Sequence, residues 1–333
     1  MIAKLIKELM QALWHYTAFR VMGRSGGPQE AVLATPTQMQ APALVEERTP
    51  QLREAPPAVA LPVYKPRASF DWQILSRPNG HIYPGGPPLD ILDRLVHEPK
   101  FILDVGCSSG DFATRVKERF PRAQIWGIEP NEDAARMATP RLDRVLCQTI
   151  EKVDWAREGV KRGDIDTVFL LDVLEHTYDP WSTLLSLRNL VCESAQLIVS
   201  IPNARNVLLM QDLVSGYWRY RTAGLLDITH IRFFTKSDMY RLFYQTGFRV
   251  AASGSTVCPG SAEIFRKHLR GKFPKVVELE SASITVQSAE DLESLCAVQH
   301  NFALQPVEYD QLSMEERQWI DAPHPPTVAF SGD

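Results

Sequence analysis

What the 333-residue sequence lacks narrows its function before any motif is considered. Its five cysteines, Cys107, Cys147, Cys192, Cys258 and Cys296, are scattered and form no C-x-x-C pair. An odd, widely spaced set argues against a disulfide framework and lacks metal-ligand spacing, so no metal is expected and a reducing, cytoplasmic setting is. No stretch of about 18 uncharged apolar residues occurs, so no membrane-spanning helix is expected. The formal net charge is −4 with no basic stripe, which argues against nucleic acid as a partner. No internal repeat is present, so an array architecture is not expected.

Proline is plentiful at 24 residues, and eight of them lie between Gly23 and Pro66 among Gln, Ala, Glu and Arg. Such a stretch buries too little apolar surface to offset its ordering entropy, so residues 25–68 read as a disordered linker. Before it, Ile2, Leu5, Ile6, Leu9, Leu13 and Trp14 recur at helical spacing, predicting an amphipathic helix over 1–24. Two readings stand for it. One is a helix docked on its own protein or on a pathway enzyme. The other is an interfacial anchor that holds the protein peripherally at a membrane.

From Ser69 onward, strand and helix patterns alternate. Strands are expected at 101–105, 124–128, 144–147, 167–171, 196–201, 248–255 and 294–304. Helices are expected at 89–97, 111–120, 132–138, 181–192 and 236–246. This order predicts an α/β, Rossmann-like, doubly wound sheet that is mostly parallel. Ligands of such sheets bind where strands end and the winding reverses.

The first strand, Phe101–Leu103, runs into Asp104 and then a loop with Gly106, Cys107, Ser108 and Gly110. Glycine lets backbone approach a ligand where a Cβ would collide. A carboxylate at this turn repels a pyrophosphate, and after Gly106 the next glycine is Gly110, so a G-x-G-x-x-G nicotinamide site is not expected. The same carboxylate favours a cationic ligand such as S-adenosylmethionine. Glu129-Pro130 ends the second strand, where an acid can hold both ribose hydroxyls. Thr149 and Ile150, after the third, are candidates beside an adenine. The fourth ends in Asp172, Glu175 and His176, and Asp179-Pro180 opens the next helix. These acids and the histidine place charge at the crevice mouth, while a solvated lead-in to that helix would equally account for Glu175 and Asp179 without function. The fifth ends in Pro202-Asn203, with Asn203 a candidate on the acceptor side. A long insertion over about 203–234 follows, lid-like, carrying Tyr217, Trp218, Asp227, His230 and Arg232.

The runs Leu103–Gly110, Gly127–Asn131, Asp172–His176, Ser200–Asn203 and Asp227–Thr235 resemble class I S-adenosylmethionine-dependent methyltransferases. The nearer likeness is to the ubiquinone-biosynthesis-like branch, and within it to bacterial enzymes found with polysaccharide-assembly glycosyltransferases. It covers about residues 80–305. The domain is expected over 69–305, with a C-terminal tail over 306–333 outside the resemblance, and the resemblance implies a seventh, antiparallel strand paired with the sixth. It also implies a methionine-end loop from Asp104, Gly106 and Gly110, and a ribose acid at Glu129. Ser108 stands where the commonest loop has glycine, and Thr149 where the family often has an acid for the adenine amine.

Methyl transfer is an in-line displacement, so the protein mainly aligns its reactants. A sugar hydroxyl acceptor also needs its proton removed, and His176 or His230, oriented by Asp172 or Asp227, is the expected base. Tyr217, Trp218, Asn203 and Arg232 are the expected acceptor contacts, and Asp172 also faces the cofactor. The expected activity is methylation of a small-molecule or glycan acceptor in polysaccharide biosynthesis. The rivals are a quinone-like or other small metabolite as acceptor, or a non-catalytic module that binds cofactor or a partner.

Overall fold

The computed structural model describes residue 75, residue 82 and residues 89–322. The expected N-terminal helix and proline-rich linker lie outside the described residues. After a 3-10 turn at Leu89–Arg94 come β1 (Phe101–Val105), α1 (Asp111–Arg119), β2 (Gln124–Ile128), α2 (Glu132–Ala138), β3 (Arg144–Leu146) and β4 (Ile165–Leu171). Then follow α3 (Pro180–Arg188), β5 (Val191–Pro202), α4 (Val207–Val214), α5 (Lys236–Gln245) and β6 (Phe248–Val257). The chain continues through α6 (Pro259–Leu269), β7 (Lys275–Glu278), β8 (Ser283–Val286), α7 (Ala289–Cys296), β9 (Ala297–Pro306) and α8 (Met314–Asp321).

Seven strands form one sheet in the order β3-β2-β1-β4-β5-β9-β6. β1 pairs in parallel with β2 on one side and β4 on the other, so the winding reverses between β1 and β4. β9 is the antiparallel strand, and it pairs with both β5 and β6. The expected α/β, doubly wound, mostly parallel sheet is therefore present, and its last strand lies between the fifth and sixth.

Strands covered on both faces read as unbroken apolar runs, as Phe101–Leu103 does. One face packs under α3 and α5 through Leu184, Leu187, Met239, Leu242 and Phe243. The other packs under α1 through Phe112, Ala113 and Val116, with Ile91 and Leu92. Local signals set the helix ends. Thr235 and Asp238 form a reciprocal capping box on α5, and Gly247 stops it at φ +81°. Asp179 caps α3 through the Ser182 N–H at 3.0 Å.

Several boundaries differ from the sequence expectation. α3 ends at Arg188, and Val191 is already paired with Ile165 in the sheet. Ser294–Cys296 close α7, so the last strand starts at Ala297. The unassigned stretch before it folds into α6, the β7–β8 hairpin and α7. Together with Val207 of α4, these elements bury a small core of Val277, Val286, Leu292, Leu295 and Cys296. Their apolar spacing is too short and too polar to stand out along the chain.

The packed body also runs past Gln305. Val307, Leu312 and Trp319 are buried against Tyr244. Trp319 lies tilted against Tyr240 with 5.2 Å between ring centroids, and Glu316 accepts from Arg249 Nε at 2.6 Å. Trp319→Ala is expected to cost about 3 kcal/mol. That corresponds to roughly 10 °C in Tm for a body of this size. A melting curve unchanged by the substitution would show that 306–321 contributes nothing to the fold.

Candidate active site

The crevice lies at the carboxyl ends of β1, β2 and β4. The loop after β1 turns back over β2, with the N–H groups of Gly106 and Cys107 donating to the Ile128 carbonyl at 2.8 and 3.1 Å. This turn requires left-handed backbone at Gly106 (φ +73°), Ser108 (φ +47°) and Gly110 (φ +79°). Glycine adopts such angles freely, whereas Ser108 does so at a cost of about 1 kcal/mol. The Ser108 N–H is fixed in return, donating to Glu129 Oε2 at 2.8 Å. The Asn131 N–H donates to Glu129 Oε1 at 2.8 Å. One carboxylate thus ties the two loops together. Gly127 permits the close approach, because a Cβ there would meet Cys107 Sγ at 2.5 Å.

Asp104 is 4% exposed, and its Oδ2 is buried without a hydrogen-bond partner. Burial, and then the charge of Glu129, push its pKa up to about 7. Burial also raises Glu129, while the Asn131 and Ser108 N–H groups hold it back. Burial raises the Cys107 thiol well above its usual value, with Asp104 and Glu129 adding to the effect. Cys107 is therefore a buried packing group under the loop. Pro130 is exposed, and Thr149 is half-buried at the start of a 3-10 turn, where its side chain makes no capping bond. Ile150 points into the main core, so it does not line the crevice as expected.

Asp172 follows β4 with φ +56°, a strained angle for a residue with a Cβ. Its Oδ1 accepts from Ser200 Oγ at 3.3 Å and from Gln299 Nε2. It does not orient a histidine. Asp227 turns on its own segment, where Oδ1 accepts from the Thr229 N–H at 2.8 Å and from Thr229 Oγ1 at 2.7 Å. The charge of Asp227 acts on His176 and that of His230 on Asp172, and backbone carbonyls also contact both rings. His176 Nδ1 lies 3.2 Å from the Thr229 carbonyl, and His230 Nδ1 lies 3.1 Å from the Leu225 carbonyl. A carbonyl only accepts, so in each neutral ring the proton sits on Nδ1 and the lone pair on Nε2. The two rings meet edge to face, 4.7 Å between centroids. Burial, and then His230, lower the pKa of His176.

Asn203 is fully buried and serves the fold. Its Nδ2 donates to the Ser294 and Ala297 carbonyls at 2.8 and 2.9 Å, and its Oδ1 accepts from the Arg205 N–H at 3.0 Å. It ties the end of β5 to the start of β9, and the acceptor role expected of it is withdrawn. Arg232 is engaged on the Tyr178 carbonyl, with its guanidinium 5.3 Å from the Tyr178 ring centroid. Tyr217 and Trp218 remain on the open surface of the insertion. Trp218 packs edge-on against Phe233 at 5.2 Å, and Arg219 lies 4.0 Å over Tyr217.

Two residues were missed as site members. Gln299 reaches Asp172 from β9, and nothing in the sequence signals that crossing. Glu175, for which a crevice-mouth place and a solvated lead-in were both open, is 1% exposed. The Ile231 and Arg232 N–H groups donate to its carbonyl at 2.9 and 3.0 Å, sealing the insertion over it. Its place beside His176 was visible, but its burial depends on a segment more than fifty residues away.

The crevice fits the cofactor implied by the resemblance. A cation beside Asp104 would give its lone oxygen a partner, and Glu129 keeps lone pairs for two ribose hydroxyls. Among the described residues no helix is long and apolar enough to cross a membrane.

A family model described as a methyltransferase domain matches residues 85–253, more than half of the chain. The trans-aconitate 2-methyltransferase of Acidovorax sp. strain JS42 is 34% identical over 71 residues, covering 21% of this chain and 28% of the relative. The chain thus spans little more than a quarter of that relative's length. The ubiquinone biosynthesis O-methyltransferase of Aromatoleum aromaticum is 25% identical over 170 residues, covering 49% of this chain and 70% of the relative. A solved S-adenosylmethionine-dependent methyltransferase of Thermotoga maritima is 18% identical, with a TM-score of 0.43, covering 65% of this chain and 86% of its own. With the family model matching over half its length, on a crevice whose buried acids suit a cationic, ribose-bearing ligand, the chain belongs to the S-adenosylmethionine-dependent methyltransferases.

Proposed function

We propose that this methyltransferase acts on a hydroxyl of a small polar acceptor, a sugar hydroxyl of a glycan or lipid-linked glycan precursor. The observation that carries the reading is the pair of imidazoles, each with its lone pair on Nε2, held in the fold region where β4 ends beside the Asp104 carboxylate of β1. Bound S-adenosylmethionine supplies an activated methyl group on a sulfonium. Asp104 balances positive charge, Glu129 holds the ribose, and the β1 loop fixes their orientation. An Nε2 of His176 or His230 accepts the hydroxyl proton as the oxygen attacks. The open rings of Tyr217 and Trp218 offer flat faces for the C–H faces of a sugar. One relative is named for trans-aconitate and the other for O-methylation in ubiquinone biosynthesis, and the latter supports an oxygen acceptor.

The direct test is transfer of radiolabelled methyl into fractionated cell extract. Label in sugar-nucleotide, glycan or lipid-linked glycan fractions supports the acceptor class, and label confined to other small metabolites overturns it. His176→Ala and His230→Ala are expected to lower turnover by about 10²–10⁴ while cofactor affinity stays near wild type. If neither substitution slows turnover, the imidazoles do not act on the acceptor.

Glu129→Gln tests the cofactor side. The amide presents its NH₂ to one of two backbone N–H donors, so the loops separate and the ribose loses an acceptor. Calorimetry should find cofactor affinity reduced at least about tenfold, the worth of one charged hydrogen bond. The Asp104 carboxyl adds a pH dependence. With its pKa at about 7, it is neutral below that pH and carries no charge to meet a cation. Cofactor affinity is therefore expected to fall by up to about tenfold per unit as pH drops from 7 to 5. Asp104→Asn should bind weakly at every pH in that range. A wild-type profile that is flat from pH 5 to 7 rules out this role for Asp104.

A further inference from the structure

Proton transfer by histidine leaves Glu175 unexplained. Its carboxylate is buried between the turn at the end of β4 and the insertion, and neither oxygen has a hydrogen-bond partner among the described residues. The charged groups that bear on it are Asp172 and Asp227, both acids, and neither offers it a counter-charge. A buried carboxylate in that setting calls for a cation.

The imidazoles beside it are arranged to help hold one. One donor atom from each of Glu175, His176 and His230 lies within 4.8 Å of the other two. Backbone carbonyls hold Nδ1 of both rings, which fixes the tautomer that presents Nε2. A metal-binding histidine is normally oriented in this way by its second nitrogen. Bonds of about 2.0–2.2 Å put two ligand atoms on one ion no more than roughly 4.4 Å apart. The widest pair needs to close by only a few tenths of an ångström.

We propose that Glu175, His176 and His230 bind one divalent transition-metal ion, through one carboxylate oxygen and the two Nε2 atoms. Two nitrogens and one oxygen suit the Zn²⁺ and Mn²⁺ class better than Ca²⁺ or Mg²⁺, and three protein ligands leave positions open. This rests on the proposed transfer to a hydroxyl and puts the ion in place of the histidine base. The ion takes the acceptor oxygen at an open position and lowers the pKa of its hydroxyl. The O–H bond breaks and the proton passes to water. The O–CH₃ bond forms as the CH₃–S bond breaks, and sulfur leaves with its electron pair as a neutral thioether. The histidines then act as ligands, and their substitution lowers turnover through loss of the ion.

The test uses the full chain, stripped of metal with a chelator and titrated with Co²⁺ alone while visible d–d absorption is followed. Wild type is expected to bind one equivalent. Glu175→Gln and His230→Ala should each weaken binding at least about 100-fold, His230→Ala serving if the buried Glu175 variant does not fold. Glu129→Gln should bind Co²⁺ normally although its cofactor affinity is reduced. Wild-type protein that binds cofactor but no Co²⁺ overturns the metal site, as does Co²⁺ binding that survives both ligand substitutions. Full methyl transfer by metal-free protein overturns the site and leaves the transferase reading standing. Co²⁺ binding that depends on these ligands, without transfer to any hydroxyl, upholds the site and overturns the acceptor reading.

Discussion

The carboxylate of Glu129 holds two loops at once, and the shape of the cofactor crevice depends on that bridge. One oxygen takes the N–H of Ser108 after β1, and the other takes the N–H of Asn131 at the start of α2. Ser108 stays in a left-handed conformation within this arrangement, and the loop stays close enough to β2 that Gly127 has room only for a hydrogen. The same bridge brings a second acid near Asp104 in a buried setting, so both carboxyls are harder to ionise. A site built this way is electrostatically incomplete, and a cationic ligand completes it.

The opposite side of the crevice is assembled from distant parts of the chain. The turn after β4 supplies Glu175 and His176, the long insertion supplies His230, and β9 supplies Gln299. Two backbone hydrogen bonds from Ile231 and Arg232 to the Glu175 carbonyl join the first two parts. That seal removes water from Glu175 and brings the two imidazoles into contact. Asn203 does comparable work nearby, using both hydrogens of its amide to fasten β5 to the start of β9.

Residues whose roles follow from neighbours in sequence were legible. Asp104 and the loop to Gly110 follow one strand directly, Glu129 ends the next, and the caps at Asp179 and Thr235 act within a single helical turn. The departures have one common source. Asn203 looks like a polar group at a strand end until β9 arrives to accept its hydrogen bonds. Glu175 looks solvated until the insertion covers it. Ile150 looks like a crevice wall until the core closes around it.

The sequence by itself determined the alternation of strands and helices, the glycine loop after Asp104, and the preference for a cation over a pyrophosphate. Periodicity, glycine and charge are local properties, and they act before distant segments meet. Only the tertiary structure decided which polar groups are buried, which tautomer each histidine presents and which acids face one another. Those outcomes depend on contacts between residues far apart in the chain, and no pattern along one segment records what another will cover.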